Sequence, residues 1–388
     1  MKQKLSAMKY IKNNKWRVAV LIVSLSLCFV LTYLTNFLLS STEETFRVIL
    51  MENTKSVQYV RLAGSSLGID VENLDDSINL QYDEKSLELV SKLKKHKGVK
   101  DVNYSQVIYN EITAAVGMWG VEIPLVLKED VENIIKHYET KITEGRMPEN
   151  PGEVVLDRAA IKNSGYKLGE YFNEETCGKA FKIVGILDSE RYLGCGIQTE
   201  KYWGAPVIMI LSDGSIEDVS LLLEEEGITV RETYDTVNDR KNGEKELRKE
   251  IVDVIGVSTT IVYVGILILL SISLFIVYSM YLRDRHNEWC LYCSIGYSRK
   301  EIYYSILREL LFTFAVALVA GVIIIILSMF VLDFAMMKPQ GLKCRYFSPE
   351  TLGEILCAYA LLIGFLQIPV RYALYRIRTI DAMDDELY

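Results

Sequence analysis

Four long runs without a single charged side chain constrain this chain more than any other feature. They cover residues 18–42, 254–282, 310–332 and 355–370. A helix needs about 20 predominantly apolar residues to cross a hydrocarbon core roughly 30 Å thick. Inside that core no water is present, so the helix must satisfy its own backbone N–H and C=O groups. The first three runs meet the length requirement outright. The fourth meets it when residues 351–354 are placed at the outer interface. The first run is too long for the apolar region of a secretory signal, and no small-residue cleavage site follows it, so it reads as a retained anchor. The predicted fold class is a membrane protein of four transmembrane α-helices, with a large α/β extracytoplasmic domain inserted between helices 1 and 2.

Lysine and arginine near the helix ends set the orientation. Residues 1–17 hold Lys2, Lys4, Lys9, Lys12, Lys15 and Arg17 and no acidic residue. Arg283, Arg285, Arg299, Lys300 and Arg308 lie between the second and third runs, and Arg371, Arg376 and Arg378 follow the fourth. All three basic flanks place both termini in the cytoplasm, in a bacterial cell membrane crossed several times. The loop with Lys338, Lys343 and Arg345 dissents mildly and is balanced by Asp333, Glu350 and Glu354. The predicted segments are a cytoplasmic amphipathic stretch 1–17, span 18–42, outer domain 43–253, span 254–282, cytoplasmic loop 283–309, span 310–332, outer loop 333–350, span 351–370 and tail 371–388.

The net charge is −8, and the segments flanking residues 41–253 together carry +6, which leaves −14 on the outer segment. An acidic outer face favours cationic ligands, and it also suits any solvated domain. Phe46, Ile49 and Leu50 extend the helical pattern beyond the first span. Leu247, Ile251 and Val254 start one before the second span, with Gly243 ahead of it. The second run is 29 residues, ~43 Å at the α-helical rise, so spans 1 and 2 are expected to project as a two-helix stalk. Within the outer segment, residues 86–97 and 221–226 read as helices. Residues 57–62, 99–109, 153–156, 166–172, 180–187 and 228–230 read as strands, a mixture that predicts a two-layer domain.

The chemistry-bearing motifs are few. No G-x-x-x-x-G-K-[ST] loop exists to cradle nucleotide phosphates, so no ATP hydrolysis is expected of this chain alone. Residues 64–68, Gly-Ser-Ser-Leu-Gly, match G-x-S-x-G, but that elbow needs a following helix and a histidine base. No helical pattern follows, and only His96 and His137 lie on the same side. With His286, the histidines form no metal spacing. No acidic or basic residue sits in the middle of a predicted span, which argues against an ion-coupled carrier. Cys177, Cys195 and Cys344 face an oxidising exterior, where Cys177 with Cys195 is the disulfide pair to test. Cys290 and Cys293 form a C-x-x-C without a second ligand pair and read as packing.

Residues 283–309 are the most informative stretch. Gly296 separates two helical segments. Ser298 with Glu301 forms an S-x-x-E capping box, and Ile302, Ile306, Leu307 and Leu310 then share one side of what reads as a short helix suited to docking on a partner.

This stretch resembles the cytoplasmic loop of the MacB/FtsX/LolC-type ABC permeases, through Glu288, Ile295, Gly296, Ser298, Arg299, Lys300, Ile302 and Glu309. Trp289, Cys290 and Cys293 depart from the small or aliphatic residues usual there. Residues 144–187 resemble the core of the MacB-type periplasmic domain, with E-G-R-x-P, a Glu-Val-Val strand and a final Val-Gly-Ile strand, and residues 373–382 resemble the family's ending. The resemblance implies that Glu288, Gly296, Ser298, Arg299, Lys300, Ile302 and Glu309 couple the chain to an ATPase. It implies two separate ABC ATPase subunits, which hold the ATP and magnesium, while this chain carries no cofactor. It also implies a second permease copy, as homodimer or related heterodimer, embedded in membrane lipid, with a peptide substrate or an extracytoplasmic adaptor outside and no nucleic acid. The expected function is a non-catalytic permease subunit of an exporter for a peptide, antibiotic or other amphiphile, working by mechanotransmission. The alternative is a non-transporting, FtsX-like permease that activates an external partner such as a cell-wall hydrolase.

Overall fold

A computed structural model describes residues 11, 14–69, 78–172, 180–199, 207–249, 257–346 and 349–375. Most of the expected amphipathic stretch 1–17, Cys177, Ile251 and Val254 lie outside the described residues. The chain divides into two compact units.

The first unit holds residues Met1–Leu38, Ser258–Leu332 and Arg345–Tyr388. Its elements are the first part of α1 (Lys15–Arg47), then α7 (Val257–Arg283), α8 (His286–Ser294), α9 (Arg299–Leu332) and α10 (Pro349–Tyr375). Among the described residues, three helical stretches are long and apolar enough to cross a membrane: Val18–Glu52, Val264–Arg283 and Arg299–Met337. Tyr359–Tyr375 is a shorter apolar helix, within α10. These helices approach closely where small or polar residues permit it. Ser26 Oγ donates to the Ala317 carbonyl (3.0 Å), and the Tyr359 hydroxyl donates to the Leu25 carbonyl (3.0 Å). The Phe29 ring meets Tyr359 edge-on at 5.1 Å. A Cβ on Gly321 would lie 2.7 Å from the Phe29 ring. Close backbone approach and interhelical hydrogen bonds are what hold helices together when lipid removes the hydrophobic drive.

The second unit holds Leu39–Val257 and Asp333–Cys344. The end of α1 tightens into a π-helical turn, Val48–Glu52, whose Val48, Ile49 and Leu50 are buried. The elements that follow are β1 (Val57–Arg61), α2 (Ile78–Leu93), β2 (Val99–Thr113), β3 (Met118–Val126), α3 (Lys128–His137), β4 (Ile142–Gly145), β5 (Glu153–Asp157), α4 (Arg158–Ser164), β6 (Tyr171–Phe172), β7 (Phe181–Leu187), β8 (Gly194–Ile197), β9 (Val207–Ser212), α5 (Val219–Glu225), β10 (Thr236–Asn238) and α6 (Arg240–Lys249).

The strands form one mixed sheet in the order β10-β1-β9-β2-β3-β8-β5-β7-β4, with β6 on β7. Strand β2 joins its two halves. Its residues 99–105 pair with β9 and its residues 106–113 with β3, both antiparallel. Strand β3 runs parallel to β8, and β5 parallel to β7. The strands β5 and β9 are buried along their whole length, and residues 154–156 and 207–211 within them are continuous apolar runs rather than alternating ones. On one half α2 and α5 cover the sheet through Leu89, Leu93, Val219 and Leu223. On the other, α3 packs Val131, Ile134 and Ile135 against Val155, Leu187 and Ile197.

Several expected elements differ. The helix expected over 86–97 begins at Ile78 and stops at Leu93, and turns carry the chain to Gly98. Only Tyr171–Phe172 of residues 166–172 is strand, because Gly169 turns the chain at φ +90°. Residues 228–230 form a loop after the Gly227 turn (φ +80°). Gly243 does not precede a helix. It lies inside α6, pressed on the Leu50 carbonyl of the π-turn where a Cβ has no room. Cys195 is a free thiol in the fully buried β8, and burial pushes its pKa up to about 12. Its expected partner, Cys177, falls outside the described residues.

Residues Asp333–Cys344 form a strap folded into this second unit. The Tyr192 hydroxyl donates to the Gly341 carbonyl (2.8 Å), and Asn163 Nδ2 donates to the Gln340 carbonyl (3.0 Å). Lys343 Nζ lies 3.2 Å from Glu190 Oε2. Gly341 adopts φ +65°, and a Cβ there would lie 2.8 Å from the Ala159 carbonyl oxygen.

Candidate functional site

The connection between α7 and α9 is built from two helix ends and one buried ion pair. Helix α8 closes in a glycine-dependent stop. The Gly296 N–H donates to the Cys293 carbonyl (2.9 Å) and the Tyr297 N–H to the Tyr292 carbonyl (3.0 Å). This is the paired bonding of a Schellman motif, which requires a left-handed residue at its turn. Gly296 supplies it at φ +94°. Helix α9 then starts at the expected capping box. Ser298 N and Oγ both donate to Glu301 Oε2 (2.8 and 2.9 Å), and the Glu301 N–H donates back to Ser298 Oγ (3.3 Å).

One expectation is corrected here. The capped helix is not short. It runs unbroken from Arg299 to Leu332, and the separate short helix is α8, ahead of Gly296. Nothing interrupts the apolar sequence after Leu310, so the helix has no reason to stop.

Inside the connection, Arg285 joins both sides. It sits at the turn between α7 and α8, and its side chain is only 6% exposed, while that of Glu309 in α9 is 4% exposed. Arg285 Nη1 donates to Glu309 Oε2 at 2.7 Å, and the Tyr281 hydroxyl donates to the other carboxylate oxygen, Oε1. Arg285 Nη1 also reaches the Tyr281 hydroxyl (3.3 Å), and its Nε lies 3.4 Å from Glu288 Oε2. Its guanidinium carbon stands 5.5 Å from the centre of the buried Trp289 ring. A planar, delocalised cation suits such a site, since it stacks on aromatic rings while its fork bonds a carboxylate.

The expected residues thus separate into groups. Glu288 and Glu309 are brought together through Arg285. Ser298 acts with Glu301 at the cap. Ile302 is buried, continuing into a stripe with Ile306, Leu310 and Phe314. Arg299 and Lys300 are exposed on the first turn of α9. Arg285, Tyr281 and Trp289 were not anticipated as site residues. An arginine just after one apolar run and a glutamate just before the next was the available signal. Cys290 is buried with its Sγ 3.5 Å from His286 Nδ1. Among the described residues no group of three or more His, Cys, Asp or Glu is placed to hold a metal.

The G-x-S-x-G segment has a structural use. The Ser66 hydroxyl donates to Asp235 Oδ2 (2.8 Å). Of the two histidines weighed as bases, His96 Nε2 lies 2.7 Å from Glu226 Oε1 and His137 Nε2 lies 2.9 Å from the Ser56 carbonyl.

Residues 260–382, which include the whole connection, match the family described as FtsX-like permease C-terminal. Over these residues the chain is similar to an FtsX-like permease C-terminal domain. In this domain α9, its cap and the Arg285–Glu309 pair lie within one matched segment, in line with the MacB/FtsX-type resemblance read from the sequence. Two solved structures are similar to a part of the chain. The periplasmic region of MacB from Actinobacillus actinomycetemcomitans is 12% identical, covering 50% of this chain and 94% of that chain at a TM-score of 0.27. The extracellular domain of the noncanonic ABC-type transporter YknZ from Gram-positive bacteria is 13% identical, covering 47% of this chain and 98% of that chain at a TM-score of 0.25. No curated protein matches the chain.

Proposed function

We propose that this chain is the permease subunit of an ATP-driven exporter, powered by a separate ABC ATPase. The observation that carries the reading is the permease-domain match over residues 260–382, which takes in the α7–α9 connection with its buried pair. In this reading four helices cross the membrane, both termini are cytoplasmic, and the sheet unit stands outside. Two permease copies work with two ATPase subunits. Exposed Arg299 and Lys300, on the first turn of α9, meet the ATPase. Closure of the ATPases on ATP moves the connection. The connection moves α9 because Arg285 and Glu309 tie them, and the motion passes to the outer unit, where a peptide, antibiotic or other amphiphile is handled.

The reading is tested by co-purifying the chain with its ATPase and reconstituting both in lipid discs. Substrate-stimulated ATP hydrolysis supports export. A stable outer complex with a cell-wall hydrolase and no transported substrate supports the regulatory alternative. Failure of the chain to bind any ABC ATPase contradicts both.

A further inference from the structure

At the edge of the sheet unit, a cavity of about 400 Å³ opens between the turn at residues 64–68, helix α2 and the loop after α5. That volume lies in the range of small-ligand sites, roughly 300–1,000 Å³. Three cations line it, Lys85, Lys92 and Arg231, with the hydroxyls of Ser65 and Thr229. Two carboxylates, Glu88 and Glu226, line it as well.

The walls are held in place from behind. Asp235, 7% exposed, accepts from the Ala63 N–H (2.7 Å), the Ser66 hydroxyl (2.8 Å) and the Arg231 N–H (2.8 Å). One buried carboxylate therefore fixes both loops that frame the cavity. His96 holds Glu226 in the same way. This explains the glycine- and serine-rich turn. Its Ser66 positions a wall and is not available as a nucleophile.

Three cations line the cavity against Glu88 and Glu226, with the Asp235 carboxylate behind the walls, so the charges nearly balance and what stands out is the pairing of each cation. Lys92 lies 2.9 Å and Lys85 3.9 Å from Glu88, so these three form one partly neutralised group. Arg231 makes no ion pair among the described residues, and its N–H bond to Asp235 is from the backbone. A guanidinium fork matches a carboxylate or phosphate with two parallel bonds. Concave walls also focus the field of the charges that line them.

We propose that this cavity binds an anionic oxygen-rich head group, a carboxylate or a phosphate, with Arg231 as the principal contact and Lys85 on the facing wall. The proposal stands independently of the permease reading. The test is isothermal titration of the full chain, in discs of neutral lipid, with inorganic phosphate and separately with glutarate, at ionic strength held constant with chloride. Saturable binding of either supports the site, and the tighter of the two names the head group. Arg231→Gln should weaken that binding by about tenfold and Lys85→Gln by less, as expected for removing one charged partner. Arg158→Gln, whose partner is Asp188 outside the cavity, should leave it unchanged. Absence of saturable binding by both probes, or equal affinity in wild type and in both cavity variants, overturns the proposal.

Discussion

Arg285 and Glu309 are 24 positions apart in sequence, yet their side chains meet at 2.7 Å in a site that excludes water almost completely. The pair ties the turn after α7 to the early part of α9. Removing one partner of a buried pair leaves an uncompensated charge, a cost of about 3–5 kcal/mol. Arg285→Met should therefore destabilise the helical unit strongly, while Arg285→Met with Glu309→Leu should recover much of the loss. Unfolding of the purified chain in graded denaturing detergent checks this. A double variant as unstable as the single one would mean that the pair is not an isolated ionic lock.

Helix α8 depends on Gly296 at φ +94°. A β-branched side chain there is strained, so Gly296→Val should cost about 1–3 kcal/mol locally. Ser298→Ala should cost about 1 kcal/mol by removing the cap. Both should appear as faster amide hydrogen exchange over residues 296–302. Exchange elsewhere in α9 should stay unchanged, because its later residues have their own helical partners.

The sheet unit should gain stability on mild acidification. The Asp157 carboxylate caps α4 at the Ala160 N–H and bonds the Arg191 N–H, and burial pushes its pKa up to about 6. An unfolded aspartate titrates near ~3.9. The folded state therefore binds the extra proton between those values, and stability rises as pH falls from 7 to 5, by about 1 kcal/mol. Below that window Glu153 acts the other way. Arg146 and neighbouring N–H groups hold its pKa far below the usual carboxylate range. The stability it contributes is complete above the unfolded glutamate pKa and is lost as pH falls toward its folded one. Thermal unfolding of wild type and Asp157→Asn at pH 7, 6 and 5 tests this, the variant showing no gain.

The strap at Asp333–Cys344 should be held by a few polar contacts. Tyr192→Phe removes the donor to the Gly341 carbonyl and should cost about 1 kcal/mol. Gly341→Val should cost more, because φ +65° and the nearby Ala159 carbonyl both oppose a side chain. Hydrogen exchange at residues 338–344 reports both. Unaltered protection in Gly341→Val would show that the strap is not docked as described.

The parts of this architecture that obey a local rule were readable in advance. Uncharged length marked the apolar helices, and the Ser298–Glu301 spacing marked the start of α9. The apolar content of β5 and β7 marked the sheet. Features set by distant partners were not readable. Strand β3 was not among the expected strands, and it contains Pro124, a residue that ordinarily demotes a strand. Pro124 sits opposite Val107 of β2, and β8 pairs only with Leu125 and Val126 beyond it. Gly243 looked like a helix boundary, but its role is to admit the Leu50 carbonyl. The strap looked like a plain loop, since its docking depends on Tyr192 and Asn163, residues more than 140 positions away. Ser66 resembled half of a catalytic motif until Asp235, 169 positions later, was seen to hold it.

The most direct test is ATP hydrolysis by the reconstituted complex, comparing wild type with the double variant Arg299→Glu, Lys300→Glu. Both residues are exposed at the start of α9, so the fold should survive their reversal. The permease should stimulate its ATPase subunit in the wild type. The double variant should lose that stimulation by about tenfold or more, as expected when complementary charge at an interface becomes repulsive, while the ATPase alone is unaffected. Equal stimulation by wild type and variant would contradict the assignment of this connection as the point where ATP-driven motion enters the chain.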